Sequence, residues 1–157
     1  MTLPFDPAAI DGEDFGEEEQ LLAMSHEEAI EHVRSICSDA GFGIPVEFSP
    51  SELLNEKVDA DRDPYYVLGA CNPAVADRAL EATGGDIGAL FPCNMVIQEI
   101  EPGTQRVYHV SIMRIARLLG LPEPDAADEM DAIIADTGEL VADVFDRLAE
   151  NEAAIDA

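Results

Sequence analysis

The stretch 65-YYVLGACNPAVADRAL-80 changes character in its middle. Residues 65–70 are an unbroken apolar run of strand-forming type, which predicts a central strand covered on both faces. Residues 72–80 open with Asn72-Pro73, a helix start: Asn72 caps by accepting backbone N–H bonds, and Pro73 suits the first helical position, where no N–H is needed. Ala74, Val75, Ala76, Ala79 and Leu80 continue the helix, and Gly84-Gly85 ends it. Cys71 therefore falls at a strand-to-helix junction, beside free backbone amides and the positive end of the helix dipole. Two readings stand. The thiol is a nucleophile with a lowered pKa, or it is a small packed residue where strand and helix meet.

A second cysteine stands in a similar setting, 88-GALFPCNMVIQEI-100, where Pro92 stiffens the backbone just before Cys93 and a strand follows. If strands 65–70 and 95–100 are antiparallel neighbours, the end of one and the start of the other share an edge of the sheet. The intervening helix descends about 15 Å, and the eleven residues 83-TGGDIGALFPC-93 can climb back. Cys71, Asn72, Cys93 and Asn94 would then line one shallow pocket.

Outward from these motifs, Leu21–Met24 reads as a first strand. Ser25 and Glu28 form a capping box, and the helix it opens buries Ala29, Ile30, Val33, Ile36, Cys37 and Ala40 before Gly41 stops it. Cys37 is expected in the core, and His26 and His32 in solvent. Phe42–Phe48 is a second strand, and residues 49–58 a short helix capped by Ser49 or Ser51. Met95–Ile100 and Arg106–Ile112 form a hairpin about 101-EPGTQ-105. His109 alternates with its neighbours as a surface or filler residue. A helix around Ile115–Leu121 breaks at 122-PEP-124, and an amphipathic stripe from Ala127 to Leu148 is interrupted at 137-TG-138. This order predicts an α+β fold: an antiparallel sheet of about five strands with helices on one face. Residues 1–19 read as a disordered or loosely docked acidic arm, 20–150 as one domain and 151–157 as a tail.

The chain has 157 residues, 34 of them acidic and 8 basic, for a net charge of −26; the bases are seven Arg and the single Lys57. Acids in every segment point to a salt-rich cytosol, since molar salt shortens the Debye length to about 3 Å and removes most self-repulsion. The charge argues against nucleic acid, which needs a basic footprint, and against anionic membrane surfaces. No apolar run nears the roughly 18 residues of a membrane span. The N-terminus lacks the basic and apolar regions of a signal peptide, so a cytoplasmic protein is expected. Three cysteines form no disulfide framework there. Cys71, Cys93 and His109 lack metal-site clustering, and neither a P-loop nor a Ser-His-Asp signature is present. No metal or cofactor is expected, and the sequence leans away from an enzyme.

Gly41-Phe42, Lys57, Tyr66–Pro73 and Ile87–Ile97 together resemble the domain-of-unknown-function 302 family over roughly residues 21–120. The resemblance implies a compact α+β domain with a TATA-binding-protein-like layout, often a homodimer, and no established reaction. It marks Cys71, Asn72, Pro73, Pro92, Cys93 and Asn94 as a shared feature and Lys57 as a candidate beside them, either a site residue or a surface survivor. The family's acidic-apolar-acidic run after its Gly-Phe element is replaced by 44-IPVEFSP-50, and residues 1–19 are extra. Two functions follow as expectations. One is a pocket at Cys71/Cys93 that binds a small molecule or handles thiol and sulfur chemistry. The other is a non-catalytic dimerisation or interaction domain in which the motifs only pack.

Overall fold

Strands from both ends of the chain meet at one edge of the sheet. The computed structural model describes residues 3–156, with strands β1 (Glu18–Leu22), β2 (Gly43–Phe48), β3 (Tyr65–Cys71), β4 (Cys93–Glu101), β5 (Thr104–His109) and β6 (Ala154–Ile155). Helices are α1 (His26–Asp39), α2 (Pro50–Val58), α3 (Pro73–Ala82), α4 (Ile112–Leu118) and α5 (Ala127–Ala149). The strands lie in the order β2-β3-β4-β5-β1-β6, with neighbours antiparallel. This is the expected α+β class with one strand more. The extra strand, β6, lies in the segment read as a tail. It forms because Asn151 turns the chain after α5, its Oδ1 accepting from the Ala153 N–H at 2.8 Å, and Leu21 and Leu22 then pair with Ile155 and Ala154. Two residues carry no periodicity of their own, so only the pairing defines them.

β1 starts at Glu18, inside the acidic segment, and not at Leu21. Its register on β5 places Glu19 within reach of Arg106, whose Nε donates to the Glu19 carboxylate at 2.7 Å. Just before it, the Ser111 N–H donates to the Phe15 carbonyl at 2.8 Å, tying residue 15 to the start of α4. Helix starts follow their caps. Ser25 and Glu28 complete the capping box of α1, Ser49 caps α2, and Ser111 caps α4 by accepting from the Arg114 N–H, which starts that helix three residues before Ile115. α5 runs unbroken through Thr137-Gly138. The Thr137 hydroxyl donates back to the Ile133 carbonyl at 2.7 Å, which absorbs the polar group inside the helix.

One face of the sheet carries the core. Along β4, Cys93, Met95 and Ile97 point inward to the helices while Asn94, Val96 and Gln98 point away, the period of two that a pleat demands. Leu68, Met95, Ile97 and Val107 pack under Val33 of α1 and Leu148 of α5. A second cluster joins α3, α4 and α5 through Ala79, Ala116, Met130 and Ile133. The outer face is less covered than the apolar β3 run suggested: Val67 is half-buried, and Val46 and Phe48 on the adjoining edge strand are exposed.

Candidate functional site

The register settles the meeting of the cysteine motifs. Ala70 pairs with Cys93 and Gly69 with Asn94, so the end of β3 and the start of β4 share one edge. α3 descends from that edge, and a 3-10 turn at Asp86–Leu90 with a cis Phe91–Pro92 bond returns the chain to it. Gly69 makes the approach of the motifs sterically feasible. A Cβ there would stand 2.7 Å from Pro92 Cγ, 2.6 Å from Val46 Cγ2 and 2.9 Å from the Val46 carbonyl oxygen. Any side chain would push Pro92 off the strand.

Between the strand ends, α3 and α5 lies a cavity of about 250 Å³, lined by Cys71, Asn72, Pro92 and Cys93 together with Phe42 and Phe91. Cys93 is buried, and desolvation, with the neighbouring Cys71 second, pushes its thiol up to about 12. It is therefore a neutral, polarisable group at physiological pH. Cys71 is half-buried at the mouth of α3. Asn72 is committed to structure: its Oδ1 accepts from the Val75 N–H at 3.1 Å, and its Nδ2 donates to the Gly41 carbonyl at 3.1 Å. The side chain thus caps α3 and fastens it to the turn after α1.

Other sequence candidates lie apart. Pro73 occupies the first turn of α3, exposed and outside the cavity lining. Asn94 alternates away from Cys93 and is exposed on the outer face. Lys57 lies in the last turn of α2, its side chain 63% exposed and 2.7 Å from Glu56, and does not line the cavity. Cys37 is fully buried on α1, and desolvation pushes its thiol up to about 12, as a core residue requires. Glu47, on the divergent second strand, accepts from the Tyr66 hydroxyl at 2.8 Å and from Arg34, and these bonds hold its carboxyl below the ordinary range.

The histidines correct the sequence reading. His26 Nδ1 stands 2.8 Å from Gln105 Oε1 and His32 Nε2 3.0 Å from Asn151 Nδ2, and both rings are half-buried. His109, a surface or filler residue by pattern, is 1% exposed. Its alternation with Val107 and Gln105 was the available signal, since all three side chains point inward. Among the described residues no group of three or more His, Cys, Asp or Glu is placed to hold a metal ion, and no helix is long and apolar enough to cross a membrane.

No curated protein matches the sequence. A crystal structure of an uncharacterized conserved DUF302 protein from Bacillus stearothermophilus superposes with a TM-score of 0.69 at 26% identity, covering 84% of this chain and 97% of that one. The model of the domain of unknown function DUF302 matches residues 18–145, a span that holds both cysteine motifs and all of the sheet except β6, and the chain belongs to that family.

Proposed function

We propose that the protein binds a small apolar or sulfur-containing molecule in the cavity where β3 and β4 meet α3. The carrying observation is that two thiols from separate motifs, Cys71 and Cys93, converge on one pocket whose remaining walls are mainly aromatic, proline and aliphatic. Neutral thiols are soft, weakly hydrogen-bonding surfaces that suit polarisable ligands. The buried Cys93 favours binding over nucleophilic attack, because the thiolate is the reactive form and burial disfavours it. Cys71, the more accessible thiol, is the candidate for any thiol exchange. All three cysteines are free, which fits a cytoplasmic setting. The test uses benzene as probe, because apolar cavities of about 150 Å³ accept it. Saturable shifts of the Met113 methyl signal, absent in Ala76→Phe, support the reading. Unchanged signals in the parent protein remove it.

A second reading rests on the outer face of the sheet, which meets the thiol cavity at Val46. Val46, Phe48 and Ile155 are exposed apolar residues on the outer face of the sheet. We propose that this face mates two copies of the chain. Sedimentation in molar KCl should show a dimer that Phe48→Glu converts to monomer, and a monomeric parent protein ends the idea.

A further inference from the structure

Across Thr137 from the thiol pocket lies a second cavity of about 180 Å³, between α5, the end of β5 and the chain entering β1. Gly138 of α5 helps to make it, for a Cβ there would meet nothing within 4 Å. Its walls differ from those of the first. Glu18, His109, Ser111 and Arg114 supply polar groups, and Ile134 and Val141 an apolar side.

His109 is the centre of the argument. Its Nδ1 lies 2.9 Å from the Asn94 carbonyl oxygen, an atom that can only accept, so Nδ1 carries the proton. Burial holds the ring below its ordinary pKa, against the raising effect of that bond, so it is neutral. Nε2 is then a bare acceptor, buried and without a partner among the described residues. Directly across the β1–β5 ladder stands Glu18, on the same face and within side-chain reach. Burial, and secondly the charge of Asp146, raises the Glu18 carboxyl above its ordinary value. The buried imidazole acceptor thus lacks a donor, and a half-buried carboxyl stands beside it.

At the rim the charge is opposite. Arg114 makes no ion pair among the described residues, in a chain with 34 acids. Gly16, at φ +63, comes so close that a Cβ would lie 3.1 Å from Arg114 Cδ and 3.0 Å from Ser111 Cβ. The arginine stem thus runs close beside Gly16 in the cavity wall. A free anion would meet Glu18 and a net charge of −26. A simple amine would leave the guanidinium unpaired.

We propose that this cavity binds a small zwitterion of the α-amino-acid class, its ammonium donating to His109 Nε2 and the Glu18 carboxylate and its carboxylate held by Arg114. A short aliphatic side chain lies against Ile134 and Val141. A space of about 180 Å³ has room for only a few non-hydrogen atoms, which suits a small amino acid such as alanine.

The experiment is an NMR titration of the full chain, with ¹⁵N-labelled histidine, in buffered molar KCl. L-alanine should shift the His109 Nε2 signal saturably. Arg114→Gln, which changes an exposed side chain and should leave the melting temperature in place, should weaken binding at least about tenfold. Ethylamine and acetate, each carrying half of the charge pattern, should bind more weakly than alanine, and His109→Phe should abolish the alanine-dependent shift of melting temperature. The proposal is overturned if millimolar alanine gives no saturable shift. It also fails if Arg114→Gln binds alanine as the parent does, if ethylamine or acetate binds equally well, or if a crystal grown with alanine shows ordered water only beside Nε2.

Discussion

The two cavities share Thr137 of α5, and the carbonyl that bonds His109 belongs to Asn94, the residue after Cys93, yet they are chemically unlike. The first is walled by thiols and apolar rings. The second holds an imidazole nitrogen without a partner. A buried thiol loses little when unbonded, so an apolar cavity around Cys93 is stable dry. A buried imidazole acceptor without a donor forfeits about 1–3 kcal/mol. The comparison teaches that space alone suggests a ligand weakly, whereas an unmet hydrogen-bond demand also specifies which kind of group must arrive.

The comparison breaks most severely at Gly69. Gly69→Val would drive its side chain into Pro92 and the Val46 backbone. Denaturant unfolding should show a loss of about 3 kcal/mol, and benzene binding at the thiol cavity should disappear while the His109 signal keeps its response to alanine.

Acid and alkali separate the cavities next. Cys93 and Cys37 are raised from 9.0 to about 12, so the unfolded chain deprotonates first and stability falls as pH climbs past 9.0. His109 is lowered from 6.5, so the unfolded chain takes up the proton first and stability falls as pH drops through 6.5 toward the lower folded-state value. Melting temperatures across pH should show Cys93→Ala reducing only the alkaline slope and His109→Phe only this acid-side contribution. Loss of both slopes in either variant would mean that the two regions titrate as one.

Asn72→Ala removes a cap and the link to Gly41, and a loss of about 1–2 kcal/mol is expected in chemical denaturation. Hydrogen exchange should quicken in the first turn of α3, beside the thiol cavity, and not at His109. The smallest effect belongs to the other side. Gly138→Ala places a methyl in open space within a helix, so stability should rise by up to about 1 kcal/mol. Alanine binding should weaken as the polar cavity shrinks, with the benzene response unchanged.

Local chemistry made much of this legible in advance. The Ser25–Glu28 box, the Asn72-Pro73 helix start and the β4–β5 hairpin depend on residues close in sequence; the first two stand where their pattern places them, and the hairpin forms with a tighter turn and a β5 that ends at His109, before Ile112 opens α4. The convergence of Cys71 and Cys93 followed from one antiparallel pairing and a helix length. Asn94 misled because its neighbour Cys93 took the inner face, and in a strand adjacent side chains cannot share one. Lys57 was singled out by scarcity, which says nothing about position.

By itself, the sequence determined the acidic charge, the caps, the periodicities and the strand-helix-strand order, because each arises within a few residues or from composition. Tertiary structure alone decided β6, the close seat of Pro92 over Gly69 and the burial of His109. Those features depend on which distant segments become neighbours. A period-two pattern shows which residues share a face but not what covers that face, and the partner of a buried nitrogen depends on the covering.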